Sequence, residues 1–123
     1  MNESSVSELT ESTEEYHDRI NRLCAALRAA NLNAALIFNP DHMFWLTGFQ
    51  TIGYFTFQAL LIESDCRVTL ISRTVNQPLA SINPVIDSFV AISDSEIGIE
   101  TLTHFLNQGP SNSSQIGLET NSN

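Results

Sequence analysis

An α/β fold, with a mixed sheet of about five strands and helices packed on its faces, is predicted by three features of this sequence. Tyr16, Ile20, Leu23 and Leu27 recur with a 4-3-4 spacing that places all four on one face of a helix. Ala34 to Phe38 and the run YFTFQALLI after Gly53 are apolar stretches of strand length. Between and beyond them the pattern switches from helix-like to strand-like and back, as in layered α/β domains. The length of 123 residues fits one domain with a sizeable core.

Taken in order, residues 1–12 are mostly Ser, Glu and Thr with little to bury, so a disordered acidic tail is expected. Ser12 and Glu15 have capping-box spacing, which satisfies backbone donors left open at a helix start. Burying the apolar face of that helix contributes on the order of 6–12 kcal/mol before entropy is subtracted. Glu15 with Arg19, and Asp18 with Arg22, stand at i and i+4 on the solvated side, each pair adding only a few tenths of a kcal/mol. Asn31 fits the C′ position, where Asn is the usual substitute for Gly.

Ala34 to Phe38 follows as a central strand covered on both faces. Asn39-Pro40-Asp41 is a helix-start signal, because Pro presets φ and the Asn or Asp side chain accepts free backbone N–H groups. A short helix over His42 to Leu46 should end at Thr47-Gly48, since Gly takes positive φ without a Cβ penalty. An aromatic loop then leads to the core strand ending at Glu63-Ser64-Asp65. The short link to Arg67–Ser72, whose Val68 and Leu70 alternate with polar residues, makes an antiparallel hairpin.

Arg73 to Pro84 reads as a short helix that Pro78 either starts or breaks. Ser88–Ile92 is a further strand. Ser93 and Glu96 form a second capping box before a helix carrying Ile99, Leu102, Phe105 and Leu106 and ending before Gly109-Pro110. Ile116-Gly117-Leu118 closes the pattern as a strand-like segment.

Five basic residues, all Arg, stand against fourteen acidic ones, a formal charge of -9. That balance opposes nucleic acid and anionic membrane as partners, because phosphate contacts need clustered cations. No apolar run approaches the roughly eighteen residues of a membrane span, and the polar N-terminus is unlike a signal peptide, so cytoplasmic placement is expected. Cys24 and Cys66 have neither metal-type nor redox-type spacing. In a cytosolic setting two reduced thiols are the favoured state, a disulfide between them the alternative.

Glu96, Glu100 and His104, at i, i+4 and i+8, are the best metal candidates, but along a helix they span about 12 Å, too far to meet at one ion. A solvated acidic face is the simpler account. No Ser lies in a G-x-S-x-G elbow, and His17, His42 and His104 have no neighbours that mark a general base. A phosphate-binding glycine loop is absent. The segment Phe49 to Phe55 lacks strict alternation until after Gly53, so a sheet cannot bury all its rings on one face. An exposed aromatic cluster marks a contact surface.

The order of an apolar strand, NPDHMFWLTGF and TIGYFTFQALLI, preceded by EEYHDRINRLCAALRAANL and followed by IGLE, resembles the N-terminal domain of the creatinase, prolidase and aminopeptidase P superfamily. Those pita-bread hydrolases include Xaa-Pro peptidases and ectoine hydrolases. The resemblance implies a creatinase N-terminal-like domain over residues 13–120, with a ribonuclease H-like motif and without the catalytic domain. It implies no catalytic residue, metal or cofactor in this chain, the two divalent metals of many relatives being held by the catalytic domain. It further implies a homodimer, or docking to a catalytic domain of the same superfamily, with Phe49, Tyr54 and Phe55 at the interface or at the mouth of a neighbour's active site. A stand-alone binding or regulatory module is the alternative; a small autonomous enzyme lacks a catalytic constellation.

Overall fold

The computed structural model describes residues 2–50, 57–93, 97–107 and 116–118, with side chains described within 13–50, 57–93 and 97–107. The chain runs α1 (Asn2–Ala29), β1 (Ala34–Ile37), α2 (Pro40–Thr47), β2 (Ala59–Glu63), β3 (Val68–Arg73), a 3-10 turn (Thr74–Asn76), α3 (Gln77–Ser81), β4 (Ser88–Ile92), α4 (Gly98–Asn107) and β5 (Ile116–Leu118). The strands form one five-stranded sheet in the order β4-β3-β2-β1-β5, the mixed sheet expected from sequence. β2 pairs antiparallel with β1 and with β3, whereas the outer strands β4 and β5 run parallel to their neighbours.

Local chemistry explains the element ends. Asn31 takes φ 60 after α1, and the N–H groups of Leu32 and Asn31 donate to the carbonyls of Leu27 and Arg28, closing the helix in a Schellman motif. Asn39 caps α2 by accepting from the Asp41 N–H at 2.8 Å, Pro40 opens the helix, and Gly48 ends it at φ 75. Pro78 starts α3 and does not break it. In the β2–β3 turn the Glu63 N–H donates to the Arg67 carbonyl, with Cys66 at φ 74.

Two cores lie on the two faces of the sheet. On one, Ile20 and Cys24 of α1, Met43 and Leu46 of α2, Phe49 and Ala80 pack on Ile37, Leu60, Ile62, Val68 and Leu70. On the other, Leu102 of α4, with Phe105 and Leu106 half-buried, covers Ala34, Leu36, Ala59, Leu61 and Ile71. Each fully buried Leu or Ile contributes about 1.5–3 kcal/mol of transfer free energy. Gly98 lets α4 come close to the sheet: a Cβ there would meet the Phe57 ring at 2.5 Å.

At four points the described structure differs from the expectations. α1 begins at Asn2, so the stretch read as a tail supplies helical backbone and the Ser12–Glu15 pair lies inside the helix. No Gly or Pro interrupts Asn2–Ala29, so nothing stops the helix from propagating back through Ser12. α4 starts at Gly98, because the Ile97 carbonyl accepts from the Glu100 and Thr101 N–H groups; residues 94–96 of the proposed capping box lie outside the described residues. β3 does not alternate between core and solvent: Thr69 and Ser72 are buried too, because the strand is central and covered on both faces. Finally, Cys24 and Cys66 are paired as a disulfide, with Cα atoms 5.6 Å apart.

Candidate functional site

The chain leaves α2 at the end of the sheet, and a small network fixes its exit. Thr47 Oγ1 donates to the Met43 carbonyl at 2.7 Å and accepts from the Phe49 N–H at 3.1 Å. The Thr47 carbonyl in turn accepts from Asn83 Nδ2 at 3.0 Å, which ties this exit to the segment after α3. Gly48 sits against the Tyr16 ring, which a Cβ would meet at 2.7 Å. These contacts turn Phe49 inward. It is 4% exposed and belongs to the core, not to an exposed aromatic surface. Tyr54 and Phe55, the other two interface candidates, lie outside the described residues.

Where the chain returns, Phe57 packs on the α4 face with its ring centroid 6.1 Å from that of Phe38. Strand alternation puts Gln58 on the opposite face, with Leu60 and Ile62. Gln58 is 4% exposed, yet neither of its amide atoms has a hydrogen-bond partner among the described residues.

Beside this end of the sheet, α1 and α2 border a groove of about 420 Å³, walled by Arg19, Arg22, His42 and Trp45 over a floor of Leu23, Ile37 and Leu46. The Arg19 guanidinium lies over the Trp45 ring, 4.4 Å from its centroid, and 5.4 Å from that of Tyr16. Its Nη1 also donates to the Trp45 carbonyl at 2.7 Å. Arg19, expected as surface decoration, is thus a strut between α1 and α2, and its pair with Glu15 is a loose 3.7 Å. The signal was present in sequence as a lone Trp on a short helix, which needs a partner for its ring. Phe44 and Trp45 remain 44% and 56% exposed on α2.

Among the described residues no three or more His, Cys, Asp or Glu stand together in a way that holds an ion. Glu100 and His104 are exposed on α4, and Glu96 lies outside the described residues. His17 and His42 are exposed as well. Burial, and secondarily the Asp65 carboxylate, push the Glu63 carboxyl above its ordinary 4.5, against a lowering by Arg67.

Residues 19–122 match the family described as the creatinase/prolidase N-terminal domain. The chain belongs to that family. Solved structures share its fold. A proline dipeptidase from Streptococcus pneumoniae is 22% identical with a TM-score of 0.70, over 81% of this chain and 72% of that one. The N-terminal domain of an Xaa-Pro dipeptidase from Lactobacillus brevis is 14% identical with a TM-score of 0.70, over 81% and 75%. A prolidase from Thermococcus sibiricus is 18% identical with a TM-score of 0.72, over 88% of this chain but 29% of that polypeptide. No curated protein matches. Among the described residues no helix is long and apolar enough to cross a membrane.

Proposed function

We propose that this chain is the non-catalytic N-terminal domain of an Xaa-Pro peptidase-like or creatinase-like hydrolase, serving oligomer contacts and shaping the entrance to an active site carried by another domain or subunit. The observation that carries this reading is the family match over residues 19–122, on a fold whose described residues gather no metal-binding cluster. Alignment to only 29% of the Thermococcus sibiricus prolidase supports it, since most of that enzyme lies outside the shared fold. The exposed Phe44 and Trp45 supply aromatic surface of the kind that anchors interfaces. Tyr54 and Phe55 are the proposed contact residues.

Assay of the purified chain on Xaa-Pro dipeptides, followed by metal analysis after desalting, tests the non-catalytic half of this reading. Neither turnover nor retained Mn or Zn is expected. Stoichiometric metal that is lost on changing Glu100 and His104 to Ala would overturn it. An intact mass of the native polypeptide separates a domain of a longer enzyme from a stand-alone regulatory module.

A further inference from the structure

The Cys24–Cys66 disulfide joins two differently exposed positions. Cys24 lies on the buried face of α1 at 0% exposure, whereas Cys66 sits half-buried in the β2–β3 turn. Their separation in sequence is 42 residues, so the bond joins the first helix to the central hairpin. Each sulfur also has a hydrogen-bond acceptor at hand. The Glu63 carbonyl lies 3.6 Å from Cys24 Sγ, and Asn21 Oδ1 lies 3.5 Å from Cys66 Sγ. On reduction, each thiol would have one of these oxygens as its nearest acceptor.

The turn does not depend on the bond either. The Cys66 N–H donates to the Glu63 carbonyl at 2.8 Å, the Ser64 N–H donates to the Asn33 carbonyl at 2.8 Å, and Arg28 Nη1 donates to the Ser64 carbonyl. The turn is thus held by hydrogen bonds that do not involve either sulfur.

We propose that Cys24 and Cys66 form a reversible thiol/disulfide switch that fastens α1 to the β2–β3 turn, with small disulfides such as glutathione disulfide as the oxidant. Exposure assigns the roles. The Cys66 thiolate attacks one sulfur of glutathione disulfide, a mixed disulfide forms at Cys66, and one glutathione thiolate leaves. Cys24 gives up its proton to solvent, its thiolate attacks Cys66 Sγ, and the second glutathione thiolate departs. The pair loses two electrons and the small disulfide is reduced to two thiols. Reduced glutathione drives the same steps backwards. Closing a loop of this length shifts the unfolding equilibrium by on the order of 10²- to 10³-fold toward the folded state. This inference is independent of the hydrolase reading.

The test equilibrates the full chain in glutathione buffers of graded ratio, quenches with acid, alkylates with N-ethylmaleimide and reads intact masses. The expected result is a single two-electron transition between a doubly alkylated and an unalkylated chain, with a higher denaturation midpoint for the oxidised form. Cys24→Ser should accumulate a glutathione adduct at Cys66, and folded Cys66→Ser should accumulate none at Cys24. Three results would overturn the proposal: two alkylatable thiols in excess glutathione disulfide, a bond that native protein keeps in excess reduced glutathione, or equal adduct formation in the two variants. If a serine variant loses its circular dichroism spectrum, the wild-type equilibration alone decides.

Discussion

Arg19 and Trp45 hold α1 and α2 together twice over: the guanidinium lies 4.4 Å from the ring centroid, and the same group donates a 2.7 Å hydrogen bond to the Trp45 carbonyl. The cation–π contact and the charge-assisted hydrogen bond draw on one guanidinium, whose delocalised charge and several N–H donors serve both at once. The pair also forms the wall of the groove between the two helices.

Arg19→Ala should cost about 1–2 kcal/mol, the sum of one cation–π contact and one charge-assisted hydrogen bond at a partly exposed site. Trp45 is the only Trp, so its fluorescence reports this contact directly. A red-shifted emission maximum with an earlier urea midpoint is expected, and Arg19→Lys should not restore either, since an ammonium cannot stack flat and bond sideways at once. Unchanged emission would show that the strut carries no energy.

Gly48→Ala should destabilise by about 2–3 kcal/mol, because a left-handed φ and contact with a packed ring act together. The φ is 75 and the added Cβ would press on Tyr16, which is part of the α1 core face. Combining it with Tyr16→Ala should relieve the steric share alone, so a double-mutant cycle in denaturant should give a non-zero coupling. Strict additivity would place Tyr16 elsewhere.

Glu63 sets a pH dependence whose sign follows from its raised carboxyl pKa. The folded state holds the proton more tightly than the unfolded chain, so this group's contribution is fully present below the ordinary value of 4.5 and is lost as pH rises through the folded pKa. Glu63→Gln should therefore melt above wild type at pH 7, with the advantage shrinking to nothing below that value. Thermal melts of both proteins across pH check this; an advantage that grows on acidification would reverse the assignment.

Gln58 has a buried carboxamide with no partner among the described residues. Replacement by Leu, of similar volume, removes that desolvation penalty and should stabilise by about 1–3 kcal/mol. A loss of stability of that size on chemical denaturation would mean that the amide is satisfied in solution and that the polar pair is structural.

Much of the fold was legible because its cues are local. Apolar runs bounded by polar breaks located β1 and β2, the period-two pattern of Val68 and Leu70 located β3, and Asn31, Asn39 and Gly48 marked helix ends through their caps and backbone conformations. What escaped was long-range. Arg19 meets Trp45 across 26 positions and Cys24 meets Cys66 across 42, and no spacing rule connects residues that only tertiary packing brings together. Phe49 is buried for a related reason. Its aromatic neighbours suggested a surface, but the Thr47 hydroxyl and the left-handed Gly48 turn its ring into the core. Of the candidate contact residues, Tyr54 and Phe55 therefore carry the proposal.

Sedimentation velocity tests the central claim, that this domain acts by association, most directly. The wild-type chain is run alone and mixed with a separately expressed catalytic domain of a prolidase-like enzyme, beside a variant carrying Tyr54→Ser and Phe55→Ser. The expected result is a dimer or a mixed complex for wild type, weakened at least about tenfold in the variant, with unfolding free energy lowered by less than about 1 kcal/mol. A wild-type chain that stays monomeric and binds no catalytic domain would contradict the claim, and so would a severely destabilised variant whose association is unchanged.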